Sequence, residues 1–486
     1  MSFRNQAALI SRLQEIAPVF EQVLRAGGAP GASICVDING SAVFRLNLGI
    51  KNISKQQPPN SDTLYGVASV TKTFTASGIA LLVDDGKLAW DTPIKLLLPE
   101  VDLQDPDVSQ KVTILDLLTH RTGMGVSNQW WYGAQGDLLI KDSETVRYFN
   151  SLPQVEAFPS KFRYSNWNYD LLGKIIEKTA GVPYGQFIQA YREEGGQLKE
   201  HTHPKSPLKL VRKQLGCHVV RSNESQPLRG YGFGSTYITL PNTLGFGCNS
   251  NYYSPMPTVS AGDGHPVVIR GHGGSMAGHT TTFALIPEDE IAVVALTNSI
   301  GLADPTDWIV TALLETLLDS PEKHDVVECA KTAAAAHTTS TQKMQEKVDE
   351  ERRVKKEEGE WKGPRPLEEY VGLYKFSLSD FVIGIHLDEK NEELEIRFQN
   401  LASQAWRLKH HIGDTFVWMD SRDEQAKRAR FTYSAANVFK IVFRQSGEGT
   451  IDGLSWPQEG GLSEDKQVFA NKVESVATDE VARARI

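Results

Sequence analysis

The sequence has few cysteines, and none of them forms a metal-binding or redox pair. Among 486 residues only four occur, Cys35, Cys217, Cys248 and Cys329, and no two have the spacing of a Cys-x-x-Cys motif. Scattered cysteines of this kind are typical of reduced thiols that pack as small apolar side chains. We therefore expect neither a disulfide scaffold nor a zinc domain.

The sequence also lacks a long apolar segment and an excess of positive charge. No run approaches the ~18 consecutive apolar residues of a membrane span, and the amino terminus has no apolar core of signal-peptide length. The chain has 51 basic and 60 acidic residues, a net charge of -9, which gives no basic footprint for nucleic acid. We expect a soluble, cytoplasmic protein that binds neither nucleic acid nor a membrane. The sequence does not specify an oligomeric state.

The length and the changing pattern along the chain predict more than one domain, because 486 residues exceed what one hydrophobic core usually supports. Residues 1–320 mix helical and strand-like runs, which predicts an α/β (α+β) fold with an antiparallel sheet flanked by helices and an all-helical region. Residues 321–365 carry dense mixed charge and are predicted as a linker. Short runs of alternating apolar and polar residues over 366–460 predict a small all-β, barrel-like domain. Residues 461–486 are predicted as a polar tail.

Several local patterns predict individual elements. Apolar residues recur at helical spacing from Asn5 to Leu24, which predicts one helix. Asn39-Gly40 between two strand-like runs is a hairpin signal. Thr113, with an acid three residues later, is typical of a capped helix start. An aromatic cluster predicts core packing, with the lining of a pocket as the alternative: Trp130, Trp131 and Tyr132.

Ser69 and Lys72 form the most informative pair in the sequence, at the start of an apolar run predicted to be helical. Residues three apart on a helix are neighbours. The lysine amine can therefore reach the serine hydroxyl and take the proton that serine must lose to act as a nucleophile. The same spacing recurs at four other serines, but these lie in proline-containing, polar or acidic segments: Ser206, Ser320, Ser340 and Ser463.

Two later segments carry further candidate site residues. Tyr164 precedes a capped helix, lies two residues before Asn166, and is a second possible base. Gly273 and Gly274 stand between His272 and Ser275 in a strand-like region, where the missing Cβ atoms let the backbone approach a ligand closely.

His201 and His203 have the spacing of two metal ligands on one face of a strand. No third type of ligand clusters near them, and Pro204 follows. We predict no metal site and no cofactor.

In order and spacing, the segments Ser69-x-x-Lys72, Tyr164-x-Asn166 and His272-Gly273-Gly274 resemble the three motifs of the serine β-lactamase and penicillin-binding protein superfamily. The chain resembles its class C-like branch, which includes β-lactamase-type carboxylesterases, D-aminopeptidases and SxxK acyltransferases. The resemblance covers about residues 5–320, including Leu117-Leu118-Thr119-His120-Arg121-Thr122-Gly123-Met124. The segment from Leu367 to Tyr374 looks like the start of the lipocalin-like β-domain often appended to such proteins.

The resemblance implies a mechanism in which Ser69 attacks a carbonyl and is acylated. Lys72 and Tyr164 would share the role of base, and the tyrosine, whose pKa is ordinarily ~10, would need an adjacent cation to act near neutrality. The backbone N–H groups of Ser69 and Ser275 would form the oxyanion hole, and Asn166 would hold the substrate amide or the lysine.

The third motif departs from the β-lactamase pattern, because His272 stands where those enzymes have lysine. Histidine is largely neutral at pH 7 and offers no permanent charge to the carboxylate of a penicillin. The substitution favours esters, thioesters or amides without an obligatory carboxylate over β-lactams. The absence of a Gly-x-Ser-x-Gly motif argues against an α/β-hydrolase.

Four functions therefore stay open at this point, and a β-lactamase proper is the least favoured of them. The first is a serine hydrolase that cleaves a small-molecule ester or amide, with secondary metabolism as the expected setting. The second is an acyltransferase or cyclising enzyme that uses the same acyl-serine and excludes water. The third is a non-catalytic binding protein on this fold, with the β-domain as its interaction module.

Overall fold

The computed structural model describes residues 6–195, 213–214, 216–221, 229–388, 390–430, 436–456 and 469–474. His201 and His203 lie outside these ranges. The helices of the described residues are α1 (Gln6–Glu15), α2 (Ala17–Ala26), α3 (Thr71–Asp84), α4 (Ile94–Leu97), α5 (Pro106–Lys111), α6 (Ile114–Leu118), α7 (Thr145–Ser151), α8 (Asn166–Ala180), α9 (Tyr184–Gly195), α10 (Pro305–Leu317), α11 (Val326–Glu357) and α12 (Arg422–Lys427).

The strands of the described residues fall into an amino-terminal and a carboxy-terminal group. The first group is β1 (Gly31–Ile38), β2 (Ser41–Gly49), β3 (Val219–Val220), β4 (Arg229–Tyr231), β5 (Thr236–Leu240), β6 (Asn242–Thr243), β7 (Thr258–Val259), β8 (Val267–Met276), β9 (His279–Ile286) and β10 (Ile291–Thr297). The second group is β11 (Gly372–Phe376), β12 (Val382–Asp388), β13 (Glu393–Phe398), β14 (Ala405–Ile412), β15 (Thr415–Val417), β16 (Lys440–Gln445), β17 (Ile451–Ser455) and β18 (Phe469–Val473).

The chain divides into two compact units, each built from two stretches of sequence. The first unit contains residues 1–90 and 172–339, and the second contains residues 91–171 and 340–486. The chain therefore passes between the units three times: after Trp90, inside α8 and inside α11.

The first unit is organised on an eight-stranded antiparallel sheet of order β2-β1-β10-β9-β8-β5-β4-β3. Asn39 and Gly40 both have positive φ at the turn between β1 and β2, as the hairpin signal predicts. Helices α1, α2 and α10 bury their apolar residues against the sheet in one core that includes Phe20, Val293 and Trp308. The antiparallel sheet with flanking helices confirms the predicted fold class.

The amino-terminal helix is interrupted where the sequence predicts a single helix. The structure has α1 and α2 separated at Ile16, with Pro18 in the first turn of α2. A proline has no N–H to bond the carbonyl of the preceding turn, so the first helix ends and a second begins. Both helices still bury an apolar face, through residues such as Leu13 and Phe20.

The second unit contains a closed eight-stranded antiparallel barrel in which the strands follow one another from β11 to β18. Strand β18 closes the barrel by pairing with both β11 and β17. It lies in the segment that the sequence predicts as a polar tail. Only Ala470 is buried in β18. Backbone pairing, and not an apolar pattern visible in the sequence, therefore fixes the position of the strand.

The charged segment before the barrel contains α11, a helix of 32 residues. Its carboxy-terminal part carries ion pairs three and four residues apart, among them Arg353 with Glu350 and with Glu357. Pairs at this spacing support the exposed carboxy-terminal part. The amino-terminal part instead packs into the core of the first unit through Val326, Cys329 and Ala333, so the predicted linker begins as a packed helix.

No helix among the described residues is both long enough and apolar enough to cross a bilayer.

Candidate active site

Ser69 and Lys72 lie together where the chain enters α3. Ser69 is in a 3₁₀ turn, Ala68–Val70, and Lys72 is in the first turn of the α-helix that follows. The Lys72 Nζ atom is 3.3 Å from the Ser69 Oγ atom and donates a hydrogen bond to it. The structure therefore holds a hydroxyl and an amine within hydrogen-bond distance of each other.

The environment of Lys72 favours its neutral form. The side chain is only 6% exposed. Burial lowers the pKa of the Lys72 amine to about 7, because the charged ammonium loses its hydration. Near neutral pH a large fraction of this amine is unprotonated and can accept the Ser69 proton, which an ordinary surface lysine does only in strong base.

The glycines of β8 pass directly alongside the nucleophile turn. A Cβ atom on Gly274 would lie 2.2 Å from the carbonyl oxygen of Val67 and 3.4 Å from the backbone nitrogen of Ser69. Thr281 on the neighbouring strand β9 donates a hydrogen bond to the Gly66 carbonyl at 3.3 Å. The backbone of Ser69 therefore lies beside Gly274.

His272 lies on the same strand, buried and neutral. Its Nδ1 atom donates a hydrogen bond to the Gly273 carbonyl at 2.5 Å, so the neutral ring carries its proton on Nδ1. Burial, and then the positive charge of Lys72, lower the pKa of His272 to about 4. At pH 7 this position therefore contributes a polar ring and no charge.

Strand β8 is also held by Phe246 and Asp307, two residues that the sequence did not indicate. Gly273 donates its N–H to the carbonyl of Phe246 at 2.9 Å, and a Cβ on Gly273 would lie 2.4 Å from that same oxygen. Asp307, buried in α10, accepts a hydrogen bond from the Phe246 N–H at 2.9 Å. Burial raises the pKa of Asp307 and raises that of its neighbour Asp304 to about 7. No short motif marks this long-range contact.

Tyr164 and Asn166 belong to the second unit and stand at the start of α8. The Asn166 amide nitrogen donates a hydrogen bond to Oδ1 of Asn128 at 3.1 Å. The ring of Tyr164 lies 4.5 Å from the ring of His120, measured between centroids. His120 is fully buried and accepts a hydrogen bond from the Ser165 N–H at 3.1 Å. It therefore fixes the backbone between the two candidate residues.

Sequence reasoning included His120 only within a matching segment and did not assign it to the site. The structure marks His120 by its backbone conformation, because a φ of 56° is uncommon for a residue other than glycine. Of the predicted site residues, Ser69, Lys72 and His272 to Ser275 share the first unit, whereas Tyr164 and Asn166 share the second.

The arrangement in the first unit is suited to acyl transfer. It combines a hydroxyl nucleophile, an amine of low pKa and a glycine-containing strand at the nucleophile's backbone. Within the described ranges, no group of three His, Cys, Asp or Glu side chains is placed to hold a metal ion.

Comparison with protein families gives two matches that divide the chain. Residues 16–191 match the family model described as Beta-lactamase, and residues 358–471 match a domain of unknown function, DUF3471. The first match contains Ser69, Lys72, Tyr164 and Asn166. The second contains β11 to β17 and part of β18, so it coincides with most of the barrel.

Two curated relatives align with parts of this chain. Esterase EstB of Burkholderia gladioli is 34% identical over 196 residues, which cover 38% of this chain and 49% of the esterase. Protein flp of Staphylococcus aureus (strain MW2) is 27% identical over 216 residues, which cover 42% of this chain and 41% of flp. The chain thus spans less than half the length of these relatives.

Among solved structures, the chain is similar to the octameric penicillin-binding protein homologue from Pyrococcus abyssi. That similarity has a TM-score of 0.50 at 18% sequence identity and covers 94% of this chain and 99% of that chain. At this identity the likeness shows a shared fold and nothing about activity.

Proposed function

We propose that this chain, whose residues 16–191 match the Beta-lactamase family, is a serine hydrolase that forms an acyl-enzyme on Ser69 and cleaves a small-molecule ester or amide. The observation that carries the proposal is the Lys72 amine, which is buried, has a pKa of about 7 and lies 3.3 Å from the Ser69 hydroxyl. A base whose pKa is close to the working pH is the most efficient one for this step.

In this mechanism the Lys72 amine takes the proton as Ser69 Oγ attacks the substrate carbonyl. The resulting oxyanion accepts hydrogen bonds from the backbone N–H groups of Ser69 and Ser275, each donor typically worth ~3 kcal/mol. The Lys72 ammonium then returns this proton to the leaving group, Tyr164 shares the role of base with Lys72, and Asn166 holds the substrate amide or the lysine. Water then hydrolyses the acyl-serine and regenerates the hydroxyl.

The class of substrate follows from the charge at the third motif. His272 is neutral at pH 7 because its pKa is about 4, so the strand beside Ser69 offers no cation at this position to a substrate carboxylate. The partial similarity to a protein named as an esterase supports an ester or amide without an obligatory carboxylate. A small molecule as the only partner, a role in secondary metabolism and a cytoplasmic location are further predictions from the sequence.

A fluorophosphonate probe tests the nucleophile directly. Incubation of the full chain with the probe is expected to add one adduct to the intact mass, and peptide mapping is expected to place it on Ser69. Ser33, whose hydroxyl is bonded to Asn47 at 2.7 Å, is an internal reference that should stay unlabelled. An unlabelled protein, or a label confined to another residue, would contradict the proposal. Product analysis with an alcohol or amine acceptor then separates hydrolysis from acyl transfer.

The pH dependence of the reaction is expected to follow Lys72. Because the neutral amine is the active form, kcat/KM for an uncharged ester should rise with pH through an apparent pKa of about 7. His272 titrates near 4 and should leave no second inflection between pH 6 and 9. Steady-state rates across this range give the measurement. A profile that is flat through neutrality, or that falls as pH rises, would contradict the role of Lys72 as a base.

A further inference from the structure

A glutamine of the barrel binds a loop outside it. Gln404 lies in a 3₁₀ turn between β13 and β14 and is fully buried. Its Oε1 atom accepts a hydrogen bond from the Ala134 N–H at 2.6 Å, and its Nε2 atom donates to the Ala134 carbonyl at 3.2 Å and to Asp137 at 2.8 Å. Ala134 and Asp137 belong to residues 126–140, hereafter the 126–140 loop.

The loop is shaped to accept this side chain. A Cβ on Gly133 would lie 2.7 Å from Gln404 Oε1, so a larger residue at this position would require the Gln404 amide to shift. A second barrel glutamine, Gln399, donates to the Leu139 carbonyl at 2.7 Å. The N–H of Gln135 donates to the carbonyl of Arg428 at 2.5 Å. The barrel thus binds the loop through the backbone at three separate positions.

Aromatic rings extend the contact from the barrel to the start of α8. Phe381 of the barrel packs edge-on against Tyr148, and Tyr148 stacks on Trp167 with the ring centroids 6.1 Å apart. Trp130 of the loop lies between Phe376 and Tyr148, with centroids 6.3 Å and 5.6 Å away. All five rings are buried and closely packed, so a displacement of one ring displaces its neighbours.

The other end of the 126–140 loop bonds the second motif. Asn128 accepts the hydrogen bond from the Asn166 amide nitrogen, and the Val126 carbonyl accepts one from the Trp167 indole at 2.8 Å. Within the loop, the N–H groups of Trp131 and Tyr132 bond the Asn128 carbonyl, which joins this end to the aromatic segment. An asparagine side chain can rotate by half a turn and exchange its donor and acceptor. In the observed orientation Asn128 offers its acceptor to the Asn166 nitrogen, and the Asn166 oxygen takes no part in this bond.

We propose that Gln404 is a positioning residue: the barrel holds the 126–140 loop so that Asn128 orients the Asn166 amide of the second motif. The proposal rests on the proposed function, which gives Asn166 its role at the substrate. It assigns the barrel a part in the reaction without direct contact with the substrate, because the effect passes through the loop. Loss of the Gln404 bonds leaves the buried Ala134 N–H unpaired, while the Ala134 carbonyl keeps its bond from the Asp137 N–H, and lets the loop shift.

Hydrogen exchange on the full chain tests the structural part of this proposal. Gln404→Met keeps the length of the side chain and removes its hydrogen bonds. It is expected to accelerate amide exchange in residues 126–140 and also in residues 164–168. Tyr370→Phe is the matched control, because it removes a buried barrel hydroxyl bonded to Asp414 at 2.6 Å. Faster exchange confined to the barrel in both variants would overturn the proposal.

A double-mutant cycle tests the coupling to the reaction. Gln404→Met and Asn128→Ala are each expected to lower kcat/KM about tenfold, within the range that a small misplacement of a reacting group causes. The double variant is expected to lose no more than either single one, since both act through Asn166. Losses that multiply would overturn the proposal. Should Gln404→Met fail to fold, Asp137→Ala takes its place, because Asp137 is exposed and loses a single bond to Gln404.

The two experiments separate failure of this inference from failure of the proposed function. A chain that shows no esterase activity and no labelling of Ser69 contradicts the function. The exchange experiment needs no substrate, so it still decides whether Gln404 orders residues 164–168. An active enzyme in which Gln404→Met changes neither exchange nor kcat/KM contradicts the inference alone.

Discussion

Replacement of Lys72 by methionine is expected to lower kcat/KM for an activated ester on the order of a thousandfold, the middle of the range for loss of a general base. Without the amine, the Ser69 hydroxyl has no group 3.3 Å away to take its proton. Steady-state hydrolysis of a nitrophenyl ester gives the measurement, and the rate of fluorophosphonate labelling should fall in parallel.

The substitution should leave the fold intact, which makes the loss of activity interpretable. The Lys72 side chain is buried, and its pKa of about 7 shows that the surroundings disfavour a charge. Methionine has a similar length and no charge to desolvate, so it fits the same space. The melting temperature of the variant is therefore expected to equal or exceed that of the wild type at pH 7.

Two further variants test whether Lys72 acts as a base or only supplies a positive charge. Lys72→Arg keeps a cation but cannot release its proton near neutrality, so it should be as inactive as Lys72→Met. Ser69→Ala should be at least as inactive, and Ser69→Ala combined with Lys72→Met should lose little more, because the two groups act as a unit. Substantial activity in Lys72→Arg would show that a positive charge, and not a base, is what this position supplies.

The local parts of the fold were predicted from the sequence because their causes are local. The turn at Asn39-Gly40 is confirmed because both residues adopt positive φ. The helix after Thr113 is confirmed together with its capping box, in which the Asp116 side chain accepts from the Thr113 N–H. The break at Ile16 and the closing strand Phe469–Val473 were missed, because one depends on a proline early in a helix and the other on pairing with distant strands.

The same distinction applies to the candidate site. The proximity of Ser69 and Lys72 follows from a spacing of three residues, so the sequence indicates it without tertiary information. The supports of the site cross long stretches of chain. Asp307 bonds the Phe246 N–H, 61 residues away, and Gln404 bonds the Ala134 N–H, 270 residues away. A single sequence contains no signal for such pairs, so the structure was needed to find them.

The close approach of β8 to the nucleophile leads to a second large expected effect, that of Gly274→Ala. The added Cβ would lie 2.2 Å from the Val67 carbonyl oxygen, much closer than nonbonded atoms approach, so either the strand or the turn that holds Ser69 must move. A displacement of about 1 Å at a reacting centre can cost ~100-fold in rate, and we expect a loss of kcat/KM of that order.

The loss should appear in acylation, because the displaced atoms are those that we propose as the oxyanion hole. Single-turnover kinetics and the rate of fluorophosphonate labelling at Ser69 measure that step. The pH profile should keep its inflection near 7, since Ser69 and Lys72 lie in consecutive helical turns and would move together.

Gly185→Ala is the matched control for Gly274→Ala. Gly185 lies in α9, and a Cβ there would meet no atom within 4 Å. Alanine is a better helix former than glycine, by ~1 kcal/mol, so this variant should be as stable as the wild type or more so, with full activity. Equal activity in the two alanine variants would show that the Gly274 backbone can move away from Val67 without disturbing acylation. The contact between β8 and the nucleophile turn would then be structural packing and not part of the oxyanion hole.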